Sequence, residues 1–152
     1  MKFRFVDRIV SWTPNERIRG RKAVSFEEYE LKAAFGGGAH LPPSLLLESF
    51  LQLGNWLILL STDFAHCGLI VRLDEVHFDG EVGPGEQVDM EVVVVRRRED
   101  GWELAGEGRV GSRMVIRGAG CLAAPVPTIE LYDPADLRVL HAELAQTQEA
   151  VR

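Results

Sequence analysis

The stretch AFGGGAHLPPSLLLESFLQLGNW, residues 34–56, decides the fold. Three glycines, a histidine and two prolines lead into a segment that is leucine, phenylalanine or tryptophan on nearly every side. At about 100° per residue, Ser44, Glu48, Gln52 and Asn55 fall on one narrow stripe of a helix, and the remaining faces are apolar. Such a helix has to be enclosed. Its carboxylate must then find hydrogen bonds or a proton, because a buried, unpaired charge is costly. The stripe therefore lines a cavity or a subunit interface, unless it serves only a polar network. Residues 45–60 are too short a run to cross a bilayer, and Glu48, Gln52 and Asn55 interrupt it, so no membrane insertion is expected.

Outward from this helix the chain has two regimes. Before it, residues 3–10 and 16–24 carry strand patterning, and Ser25-Phe-Glu-Glu28 matches a capping box for a short helical turn. After it the chain is rich in strands. Residues 69–78 form one, and Gly83-Pro84-Gly85 marks a turn before residues 87–98. Asp100-Gly101 and Gly111-Ser112 are hairpin turns, so residues 87–98, 102–110 and 113–123 read as an antiparallel meander that Pro125 and Pro127 end. Asp133 as N-cap and Pro134 at the first helical position then open an amphipathic helix to about Gln146, with Leu137, Leu140 and Leu144 on one side and His141 facing solvent. A long apolar helix followed by long antiparallel strands implies an α+β fold, a sheet wrapped around the helix.

Composition excludes several functions. The 152 residues suffice for one core, with 46% apolar residues. A net charge of -6 argues against nucleic-acid binding. Cys67 and Cys121 show neither metal nor disulfide spacing and read as small apolar residues. The first ten residues lack the apolar core of a signal peptide, so a cytoplasmic location is expected. The triple glycine fits no phosphate-loop pattern. No cofactor and no metal are expected.

Three further segments carry a resemblance. Phe5-Val-Asp-Arg-Ile9, then Pro42 with Leu45-Leu-Leu-Glu48 and Gln52, then Glu75-Val-His-Phe78 with Val82-Gly-Pro-Gly-Glu-Gln-Val88 occur in order at ungapped spacing around the helix. Over residues 3–123 the chain resembles the hotdog-fold 3-hydroxyacyl-[acyl-carrier-protein] dehydratases of the FabA/FabZ type, with residues 1–124 as the hotdog domain and 125–152 as an extension. The resemblance implies dimerisation through paired sheets, with acyl-thioester tunnels at the dimer interface. It implies that a histidine of one subunit and the helix acid of the other remove water from a 3-hydroxyacyl thioester. A backbone N–H at the helix start polarises the thioester carbonyl in that family. The substrate is carried by an acyl-carrier protein or by coenzyme A. The partner is a second copy or a related hotdog subunit, in a dimer or a higher oligomer.

Glu48 falls on the position of the family's acid and Gln52 on its glutamine. The histidine position is Ala34, which cannot accept a proton, and the glycine whose N–H serves the carbonyl is Pro43, which has none. His40, close to the helix start, is the substitute base to consider, since histidine titrates near neutrality and the Gly36–Gly38 run frees the loop backbone. Gly38, Ser44, Gln52 and Asn55 are the candidate substrate contacts. His66 and His77 are weaker candidates for the base. Arg96, Arg97 and Arg98 read as a charged strand end, with local attraction for a carrier protein or a phosphopantetheine phosphate as the functional alternative.

Three readings result. The chain binds acyl thioesters with its dehydration impaired or dependent on a partner subunit. Alternatively it is an active enzyme of altered mechanism, a dehydratase using His40 or a thioester hydrolase using Glu48, with the N–H of Ser44 or Leu45 at the carbonyl. The third is a non-catalytic binding module.

Overall fold

In β4 (Gln87–Arg98) the alternation puts Val88, Met90 and Val92 on one buried face. β2 (Arg17–Ala23) matches it residue for residue, because Ile18 lies opposite Val92, Gly20 opposite Met90 and Lys22 opposite Val88. A computed structural model describes residues 4–26 and 40–145 of the chain. With β1 (Arg8–Thr13), β3 (His66–Phe78), β5 (Gly101–Val110) and β6 (Arg113–Pro127), these strands form one antiparallel six-stranded sheet of order β1-β2-β4-β5-β6-β3. β1 and β3 are its edges.

The sheet curls around α1 (Pro43–Ser61). Pro43 starts the helix at a position where no N–H is needed, and Pro42 precedes it as the N-cap residue. Thr62 closes the other end, donating its N–H to Ile58 O and Leu59 O, and Asp63 and Phe64 turn the chain away at positive φ. Two glycines let helix and sheet approach. A Cβ on Gly20 of β2 would come within 2.6 Å of Leu53 Cδ1, and one on Gly54 of α1 within 2.9 Å of Leu104 Cδ1. Phe50, Leu53, Trp56, Leu57, Ile58 and Leu59 are thereby removed from solvent. The helix is long and apolar enough to cross a membrane, with mean hydropathy 1.3, yet the sheet covers it.

The architecture is the expected one, with local differences. β1 begins at Arg8 rather than Phe3, because the N–H of Phe5 goes to a helix side chain instead of a strand partner. β6 runs on through Pro125 and Pro127, which lie opposite Gly68 and His66 of β3. β5 has already ended there, its last pair being Trp102 with Ala123, so only one side of β6 still needs donors. β3 correspondingly starts at His66, and that residue is strand rather than loop. The capping box extends to Glu28, outside the described residues.

The last helix, α2 (Pro134–Ala145), starts as expected, the Ala135 N–H donating to Asp133 Oδ1 at 2.8 Å. Leu137, Leu140 and Leu144 are buried. His141 is not solvent-facing as the sequence suggested. It shares the apolar side of α2 and packs against Trp12, Trp56 and Phe64.

One glycine tests how tightly the sheet bends. A Cβ on Gly106 of β5 would fall on the carbonyl oxygen of Glu91 and lie 3.0 Å from the Phe50 ring. Neither backbone nor buried ring can give way cheaply, so Gly106→Ala is expected to cost about 1–3 kcal/mol of unfolding free energy, measured by urea denaturation.

Candidate functional site

The polar stripe of α1 is not uniform in depth. Ser44 is exposed, Glu48 half-buried, Gln52 8% exposed and Asn55 half-buried. Gln52 is the centre of it. Its Oε1 accepts the Phe5 N–H at 3.0 Å, and because a backbone N–H can only donate, the other end of the amide must be the donor. That Nε2 donates to Glu48 Oε1 at 2.8 Å. One turn onward, Asn55 Oδ1 accepts the N–H of Gly68 at 2.8 Å. Gly68 has to be glycine for this approach, since a Cβ there would come within 2.5 Å of Ile58 Cδ1. The stripe thus holds the segment leading into β1 on one side and β3 on the other.

Glu48 is therefore an oriented carboxylate. One oxygen is fixed by Gln52, and Oε2 has no partner among the described residues. At the head of α1 the Leu45 N–H is already engaged by Pro42 O at 2.9 Å. Pro43 has no N–H, which makes Ser44 the first residue of the helix that carries one. No acceptor for it lies among the described residues. A free N–H at the positive end of a helix dipole is suited to a developing negative charge on oxygen.

His40 does not meet Glu48 in the protomer. Its Nε2 lies 3.0 Å from Glu81 Oε2, and the adjoining Leu41 N–H donates to Val82 O, so this segment is tied to the connection between β3 and β4. Ala34 and Gly38 lie outside the described residues. His77 pairs with Glu75 at 2.6 Å on the exposed side of β3. His66 uses its backbone to close the end of α1, exchanging hydrogen bonds with Thr62 Oγ1. Burial pushes the thiols of Cys67 and Cys121 upward, away from nucleophilic thiolate.

The three arginines diverge. Arg97 donates to Asn15 Oδ1 at 2.8 Å and stacks over Trp102, whereas Arg96 and Arg98 line an open cleft of about 380 Å³ with Arg72, Asp100 and Glu103. The residue sequence reasoning missed is Phe5 as a backbone anchor for Gln52. A main-chain donor leaves no side-chain signal. Gly68, a glycine in an otherwise bulky strand, did leave one.

An antiparallel sheet curled around one long helix, with an acid on that helix, defines a hotdog-fold protein. Solved structures agree on the fold. A hot-dog-like protein from Thermanaerovibrio acidaminovorans superimposes with TM-score 0.63 at 19% identity, covering 85% of this chain and 91% of that one. The fluoroacetyl-CoA thioesterase FlK gives TM-score 0.65 at 11% identity, covering 85% and 97%. The family model of the FabA-like domain matches residues 1–118. The chain belongs to that family. Among its relatives, the 3-hydroxyacyl-[acyl-carrier-protein] dehydratase FabZ of Sorangium cellulosum is 32% identical over 116 residues, which span 74% of this chain and 75% of that protein.

Replacing Gln52 by leucine would leave the part-buried Phe5 N–H without this acceptor and release Glu48. The expected loss is about 1–3 kcal/mol of stability in urea denaturation, with faster amide exchange at Phe5.

Proposed function

We propose that this chain is an acyl-thioester-binding subunit of the dehydratase type, acting on 3-hydroxyacyl groups in fatty-acid or polyketide-type synthesis, and that it carries the acid half of a site whose base comes from another subunit. The observation that carries this reading is the head of α1. Glu48 is held by Gln52 with one oxygen open, and His40 is committed to Glu81. The motif register that sets Ala34 at the family's histidine position is part of the proposal.

The edge strand β3 supports assembly. Leu69, Val71 and Leu73 are 54%, 60% and 37% exposed on a strand whose outer hydrogen-bonding groups face no neighbouring strand among the described residues. Edges of this kind pair or aggregate unless covered, and pairing with a related hotdog subunit covers this one. The partner's histidine then takes the proton from the carbon next to the thioester carbonyl. The Ser44 N–H receives the negative charge that develops on the carbonyl oxygen, in the role Pro43 cannot fill. Glu48, protonated, gives its proton to the 3-hydroxyl, which leaves as water as the carbon–carbon double bond forms. The cleft beside Arg96 and Arg98 offers cationic groups to the acidic carrier protein or to the phosphate of its arm. A cytoplasmic location is part of the same proposal.

Activity assays on purified protein separate the readings. Alone, the chain is expected to show no water elimination from a 3-hydroxyacyl-carrier thioester. Mixing with a histidine-bearing paralogue is expected to produce it, and Glu48→Gln in this chain to remove at least 100-fold of that gain. Dehydration by the isolated chain that is lost in His40→Ala would overturn the proposal, and so would thioester hydrolysis abolished by Glu48→Gln. If no acyl thioester binds and Glu48→Gln alters stability alone, the chain is a structural module.

A further inference from the structure

The docking face of α2 consists of Leu137, Leu140, His141 and Leu144, three apolar residues and one titratable group. The half-buried imidazole packs against rings from three other parts of the fold. Trp12 of β1 stands edge-on at 6.4 Å between centroids, Trp56 of α1 lies at 6.1 Å, and Phe64 of the turn after α1 at 6.1 Å. His141 Nε2 is buried and has no hydrogen-bond partner. The Arg138 guanidinium lies 4.5 Å from the centroid of the Phe64 ring.

We propose that α2 is a pH-released clamp: proton uptake by His141 inside its aromatic seat undocks the helix and uncovers Trp56 and Phe64. Among the described residues no carboxylate is hydrogen-bonded or ion-paired to His141. On α2 itself, Glu143 is paired with Arg4 at 3.3 Å, and Arg138 with Asp63 at 2.8 Å. On α1, Glu48 lies eight residues from Trp56, about 12 Å along the helix, and is bound by Gln52. On β1 the charged group is Arg8, of the same sign as the imidazolium. The neighbouring rings offer some cation–π compensation, but the Arg138 cation already over Phe64 opposes it.

The sign follows from burial. Desolvation pushes the His141 imidazole below its ordinary 6.5, so docked α2 holds it neutral, whereas an undocked helix in water takes up the proton near 6.5. The contribution of His141 to docking is thus complete above about 6.5 and is lost as pH falls through the depressed value.

The test is hydrogen exchange of the full chain at pH 7.5 and 5.5, corrected for intrinsic rates, with the β4–β5 hairpin as internal reference. Protection of α2 should fall up to about tenfold relative to the hairpin at the lower pH, one unit below 6.5. Tryptophan emission should shift to the red in parallel. His141→Phe and His141→Leu both fill the seat without titrating, and in them α2 should be equally protected at the two values. An unchanged wild type would overturn the proposal, as would the same loss in the variants. Should neither variant fold, the NMR titration of His141 in the wild type decides: a value at or above 6.5 overturns the clamp, and a lower one supports it. None of these readouts involves thioester chemistry, so they are independent of the function proposed above.

Discussion

Enclosure of α1 is the constraint from which the rest of the structure follows. Its apolar surface can be removed from water only by a sheet that bends around it. That bending brings the two edges, β1 and β3, toward the one face of the helix the sheet leaves open. The open face is where the polar stripe lies. Gln52 and Asn55 do not lie idle there, since each satisfies a main-chain N–H that the curled sheet would otherwise bury unpaired. The side chains at the seam are therefore structural.

That arrangement gives Glu48 a fixed place in the fold whatever its chemistry. Gln52 clasps the N-terminal segment with its carbonyl end, and its amide end then has to donate to something. Glu48 is that acceptor. The acid is held by the same residue that holds the fold, and its second oxygen is left open. Among the described residues no histidine is hydrogen-bonded to Glu48. His40 answers to Glu81 and the β3–β4 connection, not to the helix.

The C-terminal helix adds a third layer of dependence. α2 covers the C-terminal half of α1, and it does so with a histidine packed against aromatic rings. Phe64, which shapes this seat, sits at φ 64, a conformation side chains of its size rarely adopt. The turn that ends α1 and the seat that receives α2 are one piece of backbone.

Much of this was legible in the chain itself. Periodicity marked the helix and its stripe, Asp100-Gly101 and Gly111-Ser112 marked the hairpins, and Asp133-Pro134 marked the start of α2, because local backbone chemistry dictates each. What the sequence could not decide was partnership. The acceptor of the Phe5 N–H, the residue facing His40, the continuation of β6 past two prolines and the surroundings of His141 all depend on residues distant along the chain. Periodicity places a side chain on a face of its own element. Only the packing of that face against another element determines whether a histidine there meets water, a carboxylate or three aromatic rings.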